Sequence, residues 1–402
     1  MERFSRPYVF PWAIACKEFP REEFNCGRVH EGGGSGDGFA GAGPRDASSL
    51  PEVQCSFKDT CLLGIGSVTV AASALADGKP AAVLYTMSRF AVNALEVAAY
   101  LQQRLQWLRT CAAKGDPVWQ DALQVASVFA SVMGVTTRMP KPPKAKYAKQ
   151  VETAHSVLAA LALAAQSTHS AQSTLAAQST FCLPRLVMRR VHLVNRKDVC
   201  GQIRAGLAVC AAAHLLELHH GDVTVWNVGT LEAGGAGGVL ALDFELSTWR
   251  GRASGALEEA LGSFCEVQRR MVLDSAVWFD FRTSRVFGCV EGGAPHNARA
   301  IMDATFIPNW DLAYFTAGMA SMYPKHPTVS ALVDAVFHDV TSAKVLDAVA
   351  PAMKLRGVRK HTTPLLVLHS LFKFQTPGAQ QAVDYFVRAD AMDRAMRILA
   401  PV

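Results

Sequence analysis

The chain has 402 residues, of which 50% are hydrophobic and 18% are charged, and its formal net charge is +6. This composition supports a sizeable core in one large two-lobed domain or in roughly two or three smaller ones, and it excludes a chain that is disordered throughout. The mild positive charge suits ligands that carry phosphate, but it indicates no specific nucleic-acid role.

Cysteine usage and hydropathy predict a soluble, intracellular protein with no membrane partner. The ten cysteines form no CxxC pair and no zinc-like spacing with histidine, so we expect buried, reduced thiols. The longest purely apolar runs, such as VLAALALAA at 157–165, are too short to span a bilayer. The first 16 residues contain an acid, two arginines and two prolines where a secretory signal would be apolar.

The chain opens with an extension that precedes the first predicted strands. Residues 28–51 are rich in Gly and Ser, which is typical of a flexible linker. Beyond the linker, apolar runs alternate with glycine turns and predict three strands. The first strand ends at Leu63, and the other two cover 68–72 and 81–85.

The middle of the chain contains helices and a low-complexity insertion. Apolar residues at helical spacing predict a helix over 90–115 and a second helix over 118–134. The basic, proline-bearing stretch 139–150 reads as a solvated loop, with a nuclear-import patch as the alternative. The tetrapeptide AQST occurs three times within 165–180, too briefly for a solenoid, and 181–194 reads as a strand.

The remainder of the chain is predicted to be mainly helical. Residues 196–220 read as a long helix that is polar at its start and almost entirely apolar afterwards, which is typical of a helix buried inside a domain. A buried strand, VLALDF, covers 239–244, and a long irregular stretch follows it. Helical patterns dominate from about 309 to the end.

Three polar side chains interrupt this apolar region with a spacing that suits phosphoryl transfer. Asp222 and Asn227 follow the buried helix, and Asp243 lies at the end of the next strand, after a glycine-rich turn. Transfer from ATP needs a carboxylate that orients the attacking hydroxyl and oxygen ligands for magnesium. Asp222 would take the first role, and Asn227 and Asp243 the second. The alternative is that all three are loop caps, since Asp and Asn favour turns.

These residues also carry a family resemblance. HGDVTVWNV and LDFELS resemble the catalytic loop and the Asp-Phe-Gly segment of protein kinases, with Asp222 and Asn227 in the first motif and Asp243 in the second. The segment DFELS, with Glu245 in place of glycine, is similar to the corresponding segment of the serine/threonine kinases conserved among herpesviruses, as is Thr224 two residues after Asp222.

The resemblance extends to both sides of the two motifs. LGIGSVTV resembles the glycine-rich loop, in which Gly64 and Gly66 would approach the phosphates and Val70 would cover the adenine. An ordinary hairpin turn is the alternative for this stretch. Glu96 matches the glutamate of the kinase helix C, or else is a solvated helix charge. Asp311, in NWDLAYFTAGM, stands in the place of the aspartate that braces the catalytic loop.

The resemblance implies an α+β, two-lobed protein kinase-like fold with a small β-rich N-lobe and a larger, mainly helical C-lobe. Residues 1–52 would form an N-terminal extension, 53–194 the N-lobe with its insertion, and 195–402 the C-lobe. The implied activity is ATP- and Mg²⁺-dependent phosphorylation of viral and host proteins. The implied location is the host cell nucleus and the virion tegument.

Two other functions remain open from the same residues. HGDVTVWN and DFE also resemble the aminoglycoside and choline phosphotransferases, which act on small molecules. A pseudokinase is the third possibility, because Leu84 or Tyr85 occupies the place of the strand lysine that pairs with the helix-C glutamate in active kinases. Lys79, on the preceding turn, is the nearest cation along the chain.

Overall fold

The computed structural model describes the chain in a set of separate ranges. These are residues 50–57, 62–65, 69–86, 89–136, 185–195, 197–231, 238–252, 277–280, 285–288, 306–340, 344–345, 347, 364–373 and 379–398. The basic stretch 139–150, the AQST insertion and most of the Gly-rich linker lie outside them.

The N-terminal part contains an antiparallel sheet of six strands. The strands are β1 (Cys55–Ser56), β2 (Leu62–Ile65), β3 (Thr69–Ala76), β4 (Lys79–Thr86), β5 (Val132–Thr136) and β6 (Arg185–Arg189). Their order is β1-β3-β4-β6-β5, and β2 pairs with β3. All three predicted strands are therefore present, and each extends beyond its predicted end.

Helix α1 (Arg89–Ala112) packs on one face of this sheet. Its buried side chains recur every three or four residues, as at Leu101, Leu105 and Leu108, which is the periodicity that predicts the helix. Leu84 of β4 and Met188 of β6 join the same apolar core. The opposite face of the sheet carries a smaller cluster built around Ala81, Val83 and Val187.

The second predicted helix is shorter than the sequence pattern indicates. Helix α2 (Pro117–Ala126) begins at the N-cap Asp116, whose carboxylate accepts a hydrogen bond from the Val118 N–H at 2.9 Å. It ends in a 3₁₀ turn, and β5 then occupies the rest of the predicted range. Pairing with β6 decides this outcome, and Gly134 (φ +152°) lets the backbone of β5 pack against Pro51.

The end of the predicted linker is already part of the folded structure. Leu50 is 4% exposed and belongs to the main core. The Val135 N–H donates to the Pro51 carbonyl oxygen at 2.9 Å, and Glu52 forms a bridge with Val135. Residues 50–52 therefore contact the edge strand of the sheet.

Helix α3 (Val199–Leu215) leads to the predicted site. Asp198 caps its start by accepting a hydrogen bond from the Gly201 N–H at 2.8 Å, and almost every later side chain is buried. The helix ends five residues before the predicted end, because Glu217 adopts a left-handed conformation (φ +50°). The chain then enters β8 (Leu218–His219).

Short strands frame the loops that follow. The strands are β7 (His192–Leu193), β9 (Val228–Thr230), β10 (Val239–Ala241) and β11 (Thr248–Trp249). Strands β9 and β10 form an antiparallel hairpin with β7 at its edge, and β8 pairs with β11. This confirms the predicted strand within VLALDF.

Five helices have described bounds in the C-terminal part. They are α4 (Trp310–Met322), α5 (Pro327–Val336), α6 (Pro364–Lys373), α7 (Ala379–Phe386) and α8 (Ala391–Arg397). Helix α4 is buried on nearly every side and packs against α3, α5 and α6. The stretch predicted to be irregular contains a two-stranded pair, β12 (Val277–Asp280) and β13 (Arg285–Gly288).

The chain is a mixed α/β structure with an antiparallel sheet and several helices, as the sequence predicts. The two-lobed kinase-like arrangement stays a prediction. No helix within the described ranges is long and apolar enough to cross a membrane.

Candidate functional site

Asp222 and Asn227 are in direct contact. The Asn227 side-chain Nδ2 donates to the Asp222 carboxylate Oδ2 at 3.0 Å and to the Asp222 carbonyl oxygen at 2.9 Å. The other carboxylate oxygen, Oδ1, accepts a hydrogen bond from the Tyr314 hydroxyl at 2.7 Å. The Asp222 side chain is therefore held at both oxygens while the residue stays only partly buried.

The backbone before Asp222 is attached to helix α4 through Asp311. One carboxylate oxygen of Asp311 accepts the His220 N–H at 2.7 Å, and the other accepts the Gly221 N–H at 3.1 Å. Gly221 adopts φ +83°, and a Cβ built on it would lie 2.4 Å from the Leu246 carbonyl oxygen. The loop can take this path only with glycine at 221.

Asp243 returns to the same end of the β9–β10 hairpin as Asn227. Val228 pairs with Ala241, and the Leu242 N–H donates to the Asn227 carbonyl oxygen at 2.9 Å. Asp243 is the next residue, with φ +66°. The hairpin thus brings two residues that are 16 positions apart in the sequence to adjacent places at its open end.

Asn227 and Asp243 have the chemistry that a magnesium ion requires. Both Nδ2 hydrogens of Asn227 are directed to Asp222, so the carboxamide Oδ1 is the atom left to face a cation. Together with an Asp243 carboxylate oxygen it would supply two hard oxygen ligands, leaving the other positions to phosphate and water. Within the described ranges, no group of three or more His, Cys, Asp or Glu side chains is arranged to hold a metal ion.

His220 and Phe244 form the apolar floor of the loop. The Phe244 ring lies 5.8 Å from the His220 ring and 5.9 Å from the Phe129 ring, centroid to centroid. Burial lowers the pKa of His220 to about 4, so its imidazole is neutral at physiological pH. The ring Nδ1 accepts a hydrogen bond from the Asp222 N–H at 3.4 Å, which gives His220 a structural role in the loop.

The segment after Asp243 is tied to the N-terminal part of the chain. The Asn93 side chain of α1 donates to the carbonyl oxygens of Glu245 and Ser247, at 2.9 Å in each case. The buried carboxylate of Glu245 accepts a hydrogen bond from the Thr69 hydroxyl of β3. Ser247 in turn donates its hydroxyl to the His220 carbonyl oxygen at 2.7 Å. Sheet, helix and loop are thereby connected through polar contacts.

Glu96 has a cationic partner that the sequence did not indicate. Its carboxylate forms an ion pair with the Arg252 guanidinium, whose side chain is only 6% exposed. Arg252 also donates to the Asn93 side-chain oxygen at 2.6 Å and lies over the Trp249 ring at 4.7 Å. By contrast, Lys79 is the first residue of β4 and not part of the preceding turn, and it is exposed, five positions before the partly buried Leu84.

The structure describes only part of the predicted glycine-rich nucleotide loop. Gly64 on β2 pairs with Ala71 of β3, and Val70 pairs with Ile65 in the same hairpin. A register shift between Leu62 and Gly64 bends β2 at this point. Gly66 lies outside the described residues. Phosphate binding by this hairpin stays a prediction.

Two residues of the site, Tyr314 and Arg252, were not predicted from the sequence. Tyr314 follows Asp311 by three positions, so it lies on the same face of α4, and that spacing was a usable signal. Arg252 carries no comparable signal, because it lies in a loop 156 residues from Glu96.

Comparison with known proteins adds no family assignment. No protein-family model matches the chain, and no curated protein matches its sequence.

Proposed function

We propose that this protein transfers the γ-phosphoryl group of ATP to serine and threonine hydroxyls of proteins, as do the herpesvirus-type kinases that its motifs resemble. The observation that carries the proposal is the Asp222 carboxylate, which Asn227 holds on a loop whose backbone is bonded to Asp311. A simple loop cap would explain Asn227. It would not explain why the buried carboxylate of Asp311, on helix α4, binds the backbone of this loop.

In this proposal Asp222 orients the attacking hydroxyl. An ionised carboxylate offers about four acceptor sites, of which Asn227 and Tyr314 use two. The remaining sites are available to a substrate O–H, which would be held in line with the phosphorus atom. The hydrogen bonds from the loop backbone to Asp311 would keep the Asp222 carboxylate in place during substrate binding and product release.

Asn227 and Asp243 would hold magnesium in the same proposal. The ion, when bound, neutralises charge on the β- and γ-phosphates. Asn227 would present its carboxamide oxygen, because its nitrogen is directed to Asp222. Gly64 and Gly66 would bring backbone N–H groups to the phosphates, and Val70 would cover the adenine.

A transfer assay with matched variants tests the proposal. Wild type is incubated with radiolabelled ATP, Mg²⁺ and either serine/threonine peptides or a panel of amino alcohols and aminoglycosides. We expect labelled peptides, and we expect Asp222→Asn to lower the rate of labelling to a small residual value. The matched control is Asp339→Asn, which removes an exposed carboxylate at a left-handed position that asparagine tolerates. Labelling by Asp222→Asn at the wild-type rate would refute the proposal, and labelling of small molecules alone would reassign the substrate class.

A non-catalytic, nucleotide-binding role is the second candidate, and the partner of Glu96 favours it. Arg252 neutralises Glu96, while an apolar Leu84 packs where a strand lysine is expected. Thermal unfolding with and without Mg-ATP separates the two candidates when combined with the transfer assay. A rise in Tm without phosphate transfer would support the pseudokinase, and robust transfer would exclude it.

The resemblance also leads us to propose residence in the host nucleus and the virion tegument. Imaging of a tagged chain in infected cells and analysis of purified virions test this location. A chain confined to the cytoplasm and absent from virions would contradict it.

A further inference from the structure

Helix α4 contacts the candidate catalytic loop at a second point besides Asp311. Tyr314 lies three residues after Asp311 on the same helix, and it is 1% exposed. Its hydroxyl donates to the Asp222 Oδ1 at 2.7 Å, across 92 residues of sequence. One helix therefore holds the loop backbone through Asp311 and the Asp222 side chain through Tyr314.

The Tyr314 ring is fixed by its neighbours. It stacks on Trp310, with 5.8 Å between ring centroids and 14° between ring planes. It also stacks on His369 of α6, with 4.9 Å between ring centroids and 9° between ring planes. A ring held in two stacks cannot swing away, so its hydroxyl has a defined position. Burial, followed by the Asp222 charge, raises the pKa of Tyr314, so the hydroxyl keeps its proton and stays a donor.

The Asp222 carboxylate needs such a second contact. Rotation about the terminal bond of an aspartate has a broad, roughly two-fold profile, so a hydrogen bond at one oxygen alone leaves its orientation loosely defined. Asn227 binds Oδ2, and Tyr314 binds Oδ1. With both oxygens engaged, the plane of the carboxylate and its remaining lone pairs are set.

We propose that Tyr314 is a positioning residue that orients the Asp222 carboxylate for the incoming hydroxyl. The proposal rests on the phosphotransferase function proposed above. Tyr314 touches neither substrate nor nucleotide in this role; it acts through Asp222. Its loss should slow the chemical step without changing the affinity for ATP, because the predicted nucleotide contacts lie on other residues.

Tyr314→Phe removes the hydroxyl and keeps both ring stacks. We expect kcat to fall about 10- to 100-fold, as slight misplacement of a reacting group does, with KM for ATP within twofold of wild type. The matched control is Tyr323→Phe at the end of the same helix, whose hydroxyl donates to Gln202 at 3.1 Å. This control should leave kcat unchanged.

A double variant separates positioning from a general structural effect. If Tyr314 acts through Asp222, the pair Asp222→Asn/Tyr314→Phe should transfer phosphate no more slowly than Asp222→Asn alone. A further fall in the double variant, in proportion to that of Tyr314→Phe, would overturn the positioning role.

The possible failures are distinguishable. Active wild type together with a Tyr314→Phe kcat within twofold of it would overturn the positioning role and leave the proposed function standing. Wild type that transfers phosphate to no acceptor would refute the proposed function, and the positioning role would fall with it.

Discussion

Replacing Asp311 with asparagine tests the contact that holds the candidate catalytic loop. The two oxygens of Asp311 accept the N–H groups of His220 and Gly221, at 2.7 Å and 3.1 Å. Asparagine has nearly the same shape but offers one oxygen and one NH₂ group. In Asp311→Asn, one of the two buried N–H groups therefore faces another donor.

The cost follows from the number of N–H groups that lose an acceptor. One buried N–H without an acceptor costs about 1–3 kcal/mol, and Asp311→Asn should lower the free energy of unfolding by that amount at pH 8. Asp311→Ala leaves both N–H groups without an acceptor and should cost about 2–6 kcal/mol. Asp311→Ala should therefore lower the free energy of unfolding about twice as much as Asp311→Asn does, and this ratio is a more specific expectation than either value.

The difference between wild type and Asp311→Asn should also depend on pH. Burial raises the pKa of Asp311 from 3.8 to about 7, although the two backbone N–H donors lower it. The folded state then binds more protons than the unfolded state between these two values, so the stability contributed by Asp311 is fully present below the lower pKa and is lost as the pH rises through 7. Asparagine does not titrate, so the difference in free energy of unfolding between wild type and Asp311→Asn should be larger at pH 5 than at pH 8.

Urea unfolding followed by tryptophan fluorescence measures both effects, since Trp310 adjoins the substituted residue. Asp339→Asn is the control, because that carboxylate is exposed and pairs with Lys344. An Asp311→Asn protein as stable as wild type at both pH values would refute the bracing role. A gap that widens from pH 5 to pH 8 would show that Asp311 is ionised in the fold and that the direction of its pKa is wrong.

Three further substitutions test the packing and capping around the site. Gly206→Ala should destabilise the fold by about 1–3 kcal/mol through overpacking, because its Cβ would lie 2.1 Å from the Phe315 ring, and chemical denaturation would measure this loss. Gly221→Ala should cost at least about 1–2 kcal/mol for its left-handed backbone, with an added clash against the Leu246 carbonyl, and both urea midpoint and transfer activity should fall. Asp116→Ala should cost about 1 kcal/mol by removing a helix cap while leaving transfer activity unchanged, and normal stability would contradict the cap.

Local patterns were sufficient for the elements and contacts that depend on near neighbours in the chain. The periodicity of apolar residues located α1 and α3, since helical spacing creates the buried face wherever the helix packs. Asp222 and Asn227 meet because five residues of loop span a short distance. Asp243 comes to the same end of the hairpin as Asn227 because the hairpin reverses the chain.

Long-range pairing decided the features that the sequence did not determine. The range predicted as the end of a second helix became β5, because it pairs with β6 at residues 185–189, on the far side of the AQST insertion. Arg252 became the partner of Glu96, and Tyr314 the donor to Asp222, across 156 and 92 residues. Such contacts depend on how elements pack, and no short stretch of sequence encodes that packing. The individual polar residues of the site were therefore visible in the sequence, while the side chains that orient and neutralise them were settled only by the tertiary structure.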